Sequence, residues 1–123
     1  MIDSKKYTAL SVLAPADRTS TANGTGVDVK DYNGIGHLIL TSAAGTGSNP
    51  TLDVHVEDSA DNSSFADVAG MAFTQVTNAA ASLQSMAVNM DAVRRYVRAV
   101  VTIGGSSPHF ICACVLVANP ESA

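Results

Sequence analysis

Residues 51–76 read TLDVHVEDSADNSSFADVAGMAFTQV, and this stretch decides the fold of the chain. Its first part alternates apolar with polar side chains, and the apolar ones are Leu52, Val54 and Val56. Such alternation is typical of a β-strand with one buried and one wet face. The polar run 59–64 then favours a turn, and Phe65 follows it as an apolar anchor. The stretch therefore predicts a β-hairpin whose residues serve packing rather than chemistry.

Other apolar runs, separated by turn residues, predict the remaining strands. The main ones are residues 7–13, 36–42, 82–90, 96–103 and 109–117. Gly, Ser and Pro at 104–108 predict a second hairpin between the last two runs, and 91–95 predicts at most one short helical turn. Seven or eight strands at this spacing predict an all-β fold of two packed antiparallel sheets.

The chain of 123 residues is predicted to form a single domain, 1–123, because no linker divides it. Polar residues 1–6 predict a flexible N-terminal arm, and 119–123 predict a loose C-terminal tail. Residues 16–26 and 43–50 are rich in Gly, Ser, Thr and Asn, which predicts surface loops, with Pro15 ending the first strand. The continuous apolar run at 38–40 predicts a central strand covered on both faces.

The charge balance argues against nucleic acid as a partner. The formal net charge is −4, and only seven residues are Lys or Arg. Because affinity for nucleic acid comes mainly from clustered basic residues, the single group of three arginines at 94–98 gives little support for it. The chain also lacks the ~18 apolar residues of a membrane span and the apolar core of a secretory signal. We expect no membrane association, with synthesis and retention in the cytosol.

The two cysteines are predicted to be buried thiols. Cys112 and Cys114 share one face of a strand, about 7 Å apart, which is at or beyond the reach of an undistorted disulfide. Free buried thiols fit a reducing compartment. Strand alternation places His109 on the opposite face, so these three residues are not expected to converge on a metal ion.

No motif predicts an enzyme or a cofactor site. The chain has no Gly-x-Ser-x-Gly, and its Gly-Thr-Gly segments at 24–26 and 45–47 lack the Lys-Ser/Thr ending of a phosphate-binding loop. One turn is rich in acidic residues, namely Glu57, Asp58, Asp61 and Asp67. Without the spacing of a calcium loop these are interpreted as solvated turn acids, and a weak structural cation stays open.

Three motifs resemble the small virion structural proteins of tailed bacteriophages, and the resemblance covers about 27–120. They are Val-Asp-x-x-x-Tyr at 27–32, V-x-V-E-D-S-x-D-x-x-x-F-x-D-V at 54–68, and R-Y-V-R-x-V-x-T-x-G-G at 95–105. The resemblance implies a capsid decoration (cement, head-stabilising) protein: a β-sandwich of jelly-roll or immunoglobulin-like type, often trimeric. Such a protein sits on the capsid surface of the virion and bridges subunits of the major capsid protein.

Partner contacts are expected from the N-terminal arm, the end loops and the arginine group. The candidate contact residues are Lys5, Lys6, Tyr7, Arg18, Arg94, Arg95 and Arg98. The arginines also admit a second interpretation, in which they only decorate a strand edge. The alternative functions are a tail or neck component and a carbohydrate-binding module, the latter disfavoured because the chain has no Trp and three Tyr.

Overall fold

The computed structural model describes residues 7–120, and this part of the chain is all-β, with eight antiparallel strands and no helix. The strands are β1 (Thr8–Arg18), β2 (Ala22–Asn23), β3 (Val27–Asp28), β4 (Tyr32–Ser42), β5 (Thr46–Ser59), β6 (Ala66–Ala72), β7 (Ser82–Asn89) and β8 (Tyr96–Pro120). The predicted all-β class and strand number are confirmed. Residues 7–120 contain no helix long and apolar enough to cross a membrane. The predicted arm, 1–6, lies outside the described residues.

Strand β8 organises the whole sheet. It is 25 residues long, and five other strands pair with it. Its N-terminal part pairs with β2, β3 and β5, and its C-terminal part pairs with β1 and β4. The sheet is completed by β6 beside β5 and β7 beside β4. We call the two parts the β5 half (β2, β3, β5, β6 and the start of β8) and the β4 half (β1, β4, β7 and the end of β8).

The predicted second hairpin at 104–108 is wrong, because the chain bends there without reversing. Gly105 has a φ of 104° and Ser107 one of 50°, which are conformations suited to a bend. The segment stays paired with β5, since Thr51 lies opposite Gly104 and Thr46 opposite His109. Residues 46–50, predicted to be a loop, are therefore the first residues of β5.

Strand β1 passes the proline at which it was predicted to end. Its pairing with β8 shifts between Leu13 and Ala16, so that Ala14 and Pro15 form a bulge. A bulge tolerates proline because the extra residue needs no N–H for the ladder. The strand continues to Arg18, which shortens the predicted loop at 16–26. At the other end of the chain, Asn119 of the predicted tail lies in β8 opposite Asn33.

The hairpin at 51–76 is confirmed. Strands β5 and β6 pair with Glu57 opposite Asp67, and Leu52, Val54 and Val56 are at most 1% exposed. The turn between the strands is held by Asp61, whose Oδ1 accepts hydrogen bonds from the backbone N–H groups of Ser63 and Ser64. These bonds, that of Ser64 first, lower the pKa of Asp61 to about 2 because they favour the ionised carboxylate.

Strand β4 is central in its half, as predicted, but only one of its faces is covered. It pairs with β7 on one side and β8 on the other. Leu38 and Leu40 are buried, whereas His37 and Thr41 on the opposite face are exposed and Ile39 is half-buried. No helix forms at 91–95, in line with the prediction of at most one helical turn; the residues after β7 form a single turn, in which the N–H of Val93 donates to Asn89 O at 3.3 Å.

Buried side chains of both halves form one hydrophobic core. Among its members are Val12, Leu38, Leu40, Cys114 and Leu116 of the β4 half and Leu52, Val54, Val56, Val97 and Val101 of the β5 half. Phe110 lies in this core with no exposed surface. Both cysteines are free and buried, as predicted, and burial raises the pKa of Cys114 to about 12 because it disfavours the thiolate.

Candidate functional site

Each of the three clustered arginines forms an ion pair within the chain. Arg94 is held most fully: its Nε donates to Oδ1 of Asp58 at 2.8 Å, and its Nη2 donates to the backbone oxygen of Asp58 at 2.7 Å. The backbone N–H of Arg94 donates to the second carboxylate oxygen of Asp58 at 3.0 Å. These bonds tie the end of β5 to the segment that leads into β8.

Arg98 joins β8 to the acidic side of β5. Its Nε and Nη2 both donate to Oε1 of Glu57, at 2.9 and 2.7 Å, and its guanidinium lies 3.9 Å from the centre of the Phe65 ring. This stacking adds a cation–π attraction to the ion pair. Partial burial works to raise the pKa of Glu57, but hydrogen bonds from Arg98 and His55 outweigh it, so the pKa lies below its ordinary value.

Arg95 forms the most exposed of the three pairs. Its Nη2 donates to Oδ2 of Asp28 at 2.9 Å, and its guanidinium lies 5.1 Å from the centre of the Tyr96 ring. The hydrogen bond from Arg95, followed by that from the backbone N–H of Lys30, lowers the pKa of Asp28. The three arginines thus hold strands together inside the β5 half, and their role in binding a partner stays a prediction.

The other candidate contact residues do not join this group. Arg18 lies in the β4 half, where its Nη2 donates to the backbone oxygen of Ala14 at 2.6 Å. Tyr7 is 44% exposed, at the start of the described residues. Lys5 and Lys6 fall outside those residues. The candidate contacts that the structure describes are therefore spread over both halves.

A surface that the sequence analysis did not single out lies on the solvent side of the β4 half. We call it the outer apolar face. The positions that compose it are Ile35, His37, Ile39 and Thr41 of β4, Leu83, Ser85 and Ala87 of β7, and Ile111, Ala113, Val115 and Val117 of β8. None of them is Asp, Glu, Lys or Arg, and the face is bordered on the β1 side by Asp17, which lies opposite Ile111.

Large aliphatic side chains are openly exposed on the outer apolar face. Leu83 is 76% exposed, Ile111 is 64% exposed and Ile35 is 54% exposed. Leu83 lies in the row Leu83–Thr41–Ala113, and the next row along the sheet is Ser85–Ile39–Val115. A contiguous exposed apolar patch is a candidate interaction surface, because burying it removes apolar area from water.

A second cluster lies on the solvent side of the β5 half. Nε2 of His55 lies 3.5 Å from Oε2 of Glu57 and 3.2 Å from Oδ1 of Asp67. Beside it is a cavity of about 370 Å³ lined by His55, Asp67 and residues 68–72. Of the four turn acids, the structure brings only Glu57 and Asp67 together, since Asp58 pairs with Arg94 and Asp61 caps its own turn. The sequence analysis missed the contribution of His55 to this cluster.

The histidine and cysteines of β8 lie as the alternation predicts. His109 is exposed, whereas Cys112 and Cys114 are buried. Nδ1 of His109 lies 3.0 Å from Oδ2 of Asp17 on β1. This arrangement is a surface pair of imidazole and carboxylate, and it brings no thiol to the histidine.

Comparisons with known proteins show similarity in structure but not in sequence. No protein-family model matches the chain, and no curated protein matches it. Among solved structures, the chain is similar to the phage PBSX exported protein XepA, with 17% identity and a TM-score of 0.58 over 94% of this chain. The match covers 38% of XepA, so the chain spans less than half the length of that protein.

Two further structures share the fold. One is described as "Bacillus endospore appendages form a novel family of disulfide-linked pili"; it has 14% identity and a TM-score of 0.52, covering 99% of this chain and 96% of the other. The second is from the Gx strain of infectious bursal disease virus, with 9% identity and a TM-score of 0.52, covering 95% of this chain and 32% of the other. At these identities the matches show the fold alone.

Proposed function

We propose that the chain is a non-enzymatic structural subunit of a tailed-phage particle, which decorates the head and stabilises it by bridging subunits of the major capsid protein. The observation that carries the proposal is the outer apolar face, an uncharged surface with Leu83, Ile111 and Ile35 exposed. The motifs that resemble phage virion proteins support it, as does the fold shared with a phage protein and a protein of a viral particle.

The outer apolar face is suited to docking because it is presented by paired strands. A standard interface buries ~800 Å² on each partner. That area is roughly an eighth of the solvent-accessible surface of the chain, which is 6636 Å². Strands β4, β7 and β8 hold the face in a fixed shape, so little conformational entropy is lost on binding. Many copies on one shell then add modest contacts through multivalency.

The charged residues orient the subunit. The solvent side of the β5 half carries the ion pairs of Glu57 and Arg98, whereas the outer apolar face carries no Asp, Glu, Lys or Arg. Burying the apolar side costs little desolvation, while burying the ionic side costs more. The subunit would therefore sit with the β4 half against the shell and the β5 half in solvent. In this proposal the halves are the two sheets of a jelly-roll or immunoglobulin-like sandwich, and copies associate as trimers on the capsid surface.

A tail or neck component is the second candidate, supported by the match that covers 96% of a pilus subunit. Copies of such a subunit would polymerise rather than dock singly. The described thiols, Cys112 and Cys114, are buried, so the copies would be held by non-covalent contacts. A carbohydrate-binding module has less support, because Tyr7 is the one aromatic side chain among the large exposed apolar residues of 7–120.

The proposal is tested with head particles assembled without this chain. Purified chain is added back, and occupancy per head is measured by gel densitometry and by cryo-electron microscopy. Leu83→Lys and Ile111→Lys place a charge on the outer apolar face at positions that are already exposed, so folding is preserved. Thr102→Lys is the matched control, because Thr102 is exposed on the solvent side of the β5 half.

We expect Leu83→Lys to need about tenfold more protein for half occupancy, since burying an unpaired charge costs more than 1.4 kcal/mol. Ile111→Lys should lose less, because Asp17 lies opposite position 111 and can pair with the new charge. The control is expected to bind as the wild type does. Equal occupancy by all three variants would contradict docking through the outer apolar face. Density on tails instead of heads would favour the second candidate.

A further inference from the structure

We propose that His55, Glu57 and Asp67 form a binding site for a divalent transition-metal ion, with Zn²⁺ the best fit. Their ligand atoms are an imidazole nitrogen and two carboxylate oxygens, and all three lie within 4.8 Å of one another. Imidazole together with carboxylates is a donor set that Zn²⁺ commonly takes. The cluster plays no part in the docking surface proposed above, so it is an independent property of the chain.

The strand geometry explains why these three side chains meet. His55 and Glu57 are two residues apart on β5, so they point to the same, outward side while Val56 points into the core. Asp67 lies directly opposite Glu57 on β6. The register of β5 and β6 then shifts. His55 pairs with Ala72, so residues 68–71 of β6 have no partner on β5 and form a bulge. Bulges of this kind re-aim side chains and are frequent beside functional sites.

The distances fit tetrahedral coordination. Two ligand atoms, each about 2.05 Å from a zinc ion, are separated by roughly 3.3 Å at the tetrahedral angle. Nε2 of His55 lies 3.5 Å from the Glu57 oxygen and 3.2 Å from the Asp67 oxygen, so both separations already match. The carboxylate oxygens of Glu57 and Asp67, which lie within 4.8 Å of each other, need only to move closer to reach the same separation. Asp67 is free to do so, since its side chain is 77% exposed.

The local charges favour a cation. Glu57 and Asp67 face each other across the strands, and like charges in that position repel. Arg98 compensates one of them, but both of its hydrogen bonds go to Oε1 of Glu57. Oε2 of Glu57 remains directed at His55, and the negative charge of Asp67 remains uncompensated by arginine. A divalent ion between the three groups relieves that repulsion.

The cavity beside the cluster supplies the remaining coordination position. It holds about 370 Å³ and is bounded by His55, Asp67 and the bulge at 68–71, in which Gly70 takes a φ of 76°. With three protein ligands on one side of the ion, a water molecule can occupy the fourth position from the cavity. Three protein ligands and one open position are the pattern of accessible zinc sites.

The test is a titration of the full chain, stripped with chelator, with ZnCl₂ followed by calorimetry, and with CoCl₂ followed by visible absorption of tetrahedral Co²⁺. The variants are His55→Ala and Asp67→Asn. The matched control is His109→Ala, which removes the pair of His109 with Asp17, where residues 7–120 supply no third ligand. Asp67 is exposed and His55 is half-buried on the outward side of β5, so the variants are expected to fold, and thermal unfolding checks this.

We expect one bound ion per chain, a loss of affinity of about tenfold or more in His55→Ala and Asp67→Asn, and an unchanged affinity in His109→Ala. Absence of saturable binding to the wild type would overturn the proposal, as would wild-type affinity in His55→Ala. CaCl₂ is titrated in parallel, because Ca²⁺ requires six or more oxygen ligands. Affinity for Ca²⁺ equal to that for Zn²⁺ would contradict coordination by the imidazole.

Discussion

Replacing Arg94 with alanine is expected to destabilise the fold far more than replacing its neighbour Arg95. The Arg94 side chain donates one hydrogen bond to the Asp58 carboxylate at 2.8 Å and one to the Asp58 backbone oxygen at 2.7 Å, and the Asp58 side chain is only 12% exposed. Arg94→Ala removes both bonds, and the buried Asp58 carboxylate keeps the hydrogen bond from the backbone N–H of residue 94. Arg95 and Asp28 are 45% and 38% exposed, so water replaces their lost contact.

The size of the effect follows from these geometries. Hydrogen bonds to charged groups contribute about 1.5–3 kcal/mol each, and breaking a buried pair costs about 3–5 kcal/mol. Arg94 itself is 44% exposed, so screening by solvent reduces the cost. We expect Arg94→Ala to lower the free energy of unfolding by about 2 kcal/mol and Arg95→Ala to have a clearly smaller effect.

Urea unfolding followed by circular dichroism measures this difference. With a slope of about 2 kcal/mol per molar urea, Arg94→Ala shifts the midpoint down by about 1 M and Arg95→Ala by clearly less. Arg94→Lys is a useful third variant, because it keeps the charge but not the two donors, and it should lie between the others. Equal midpoints for the Arg94→Ala and Arg95→Ala variants would refute the argument that burial of Asp58 makes this pair important.

Three further predictions concern the core, the turn and the thiols. Phe110→Ala should lower the free energy of unfolding by about 3–5 kcal/mol, because its ring is fully buried; a loss below about 1 kcal/mol in urea unfolding would show that the core collapses around the gap. The pKa of Asp61 is about 2 in the folded chain and 3.8 without the fold, so the unfolded chain binds a proton at this carboxylate more readily. The stabilisation from Asp61 is present above pH 3.8 and is lost as the pH falls toward 2, and Asp61→Asn should flatten this part of the acid-unfolding profile. Cys112 and Cys114 should resist thiol reagents at pH 8 in the native chain and react on unfolding; rapid native labelling would contradict their burial.

Local pattern predicted those parts of the fold that depend on neighbouring residues. The hairpin at 51–76 followed from alternation and a polar turn, and both are properties of adjacent positions. The path of β8 did not follow, because Gly, Ser and Pro at 104–108 suit a tight turn as well as a bend. Which of them forms depends on residues 46–50, more than fifty positions earlier, which keep the segment paired.

The candidate sites, like the fold, were predictable only where they depend on residues that are close in the sequence. The arginine group was visible in the sequence, but its partners were not, since Asp58 is 36 positions from Arg94 and Asp28 is 67 positions from Arg95. The sequence analysis singled out Glu57 and Asp67 as turn acids but not His55, although His55 and Glu57 are two residues apart and so share one strand face. The approach of Asp67 depended on the register of β5 and β6 and on the bulge between them, which alternation alone does not specify.

The position of β8 in the chain has a consequence for biosynthesis. Strands β1, β2, β3, β4 and β5 all take β8 as a pairing partner, yet β8 is translated after every one of them. Before β8 is synthesised, the edges of these strands that pair with β8 are unpaired. Among the described strands, the β5–β6 and β4–β7 ladders are those that can form without β8. The sheet therefore assembles in one late step once residues 96–120 leave the exit tunnel, and a nascent chain that stalls before residue 96 should be sensitive to protease and dependent on chaperones.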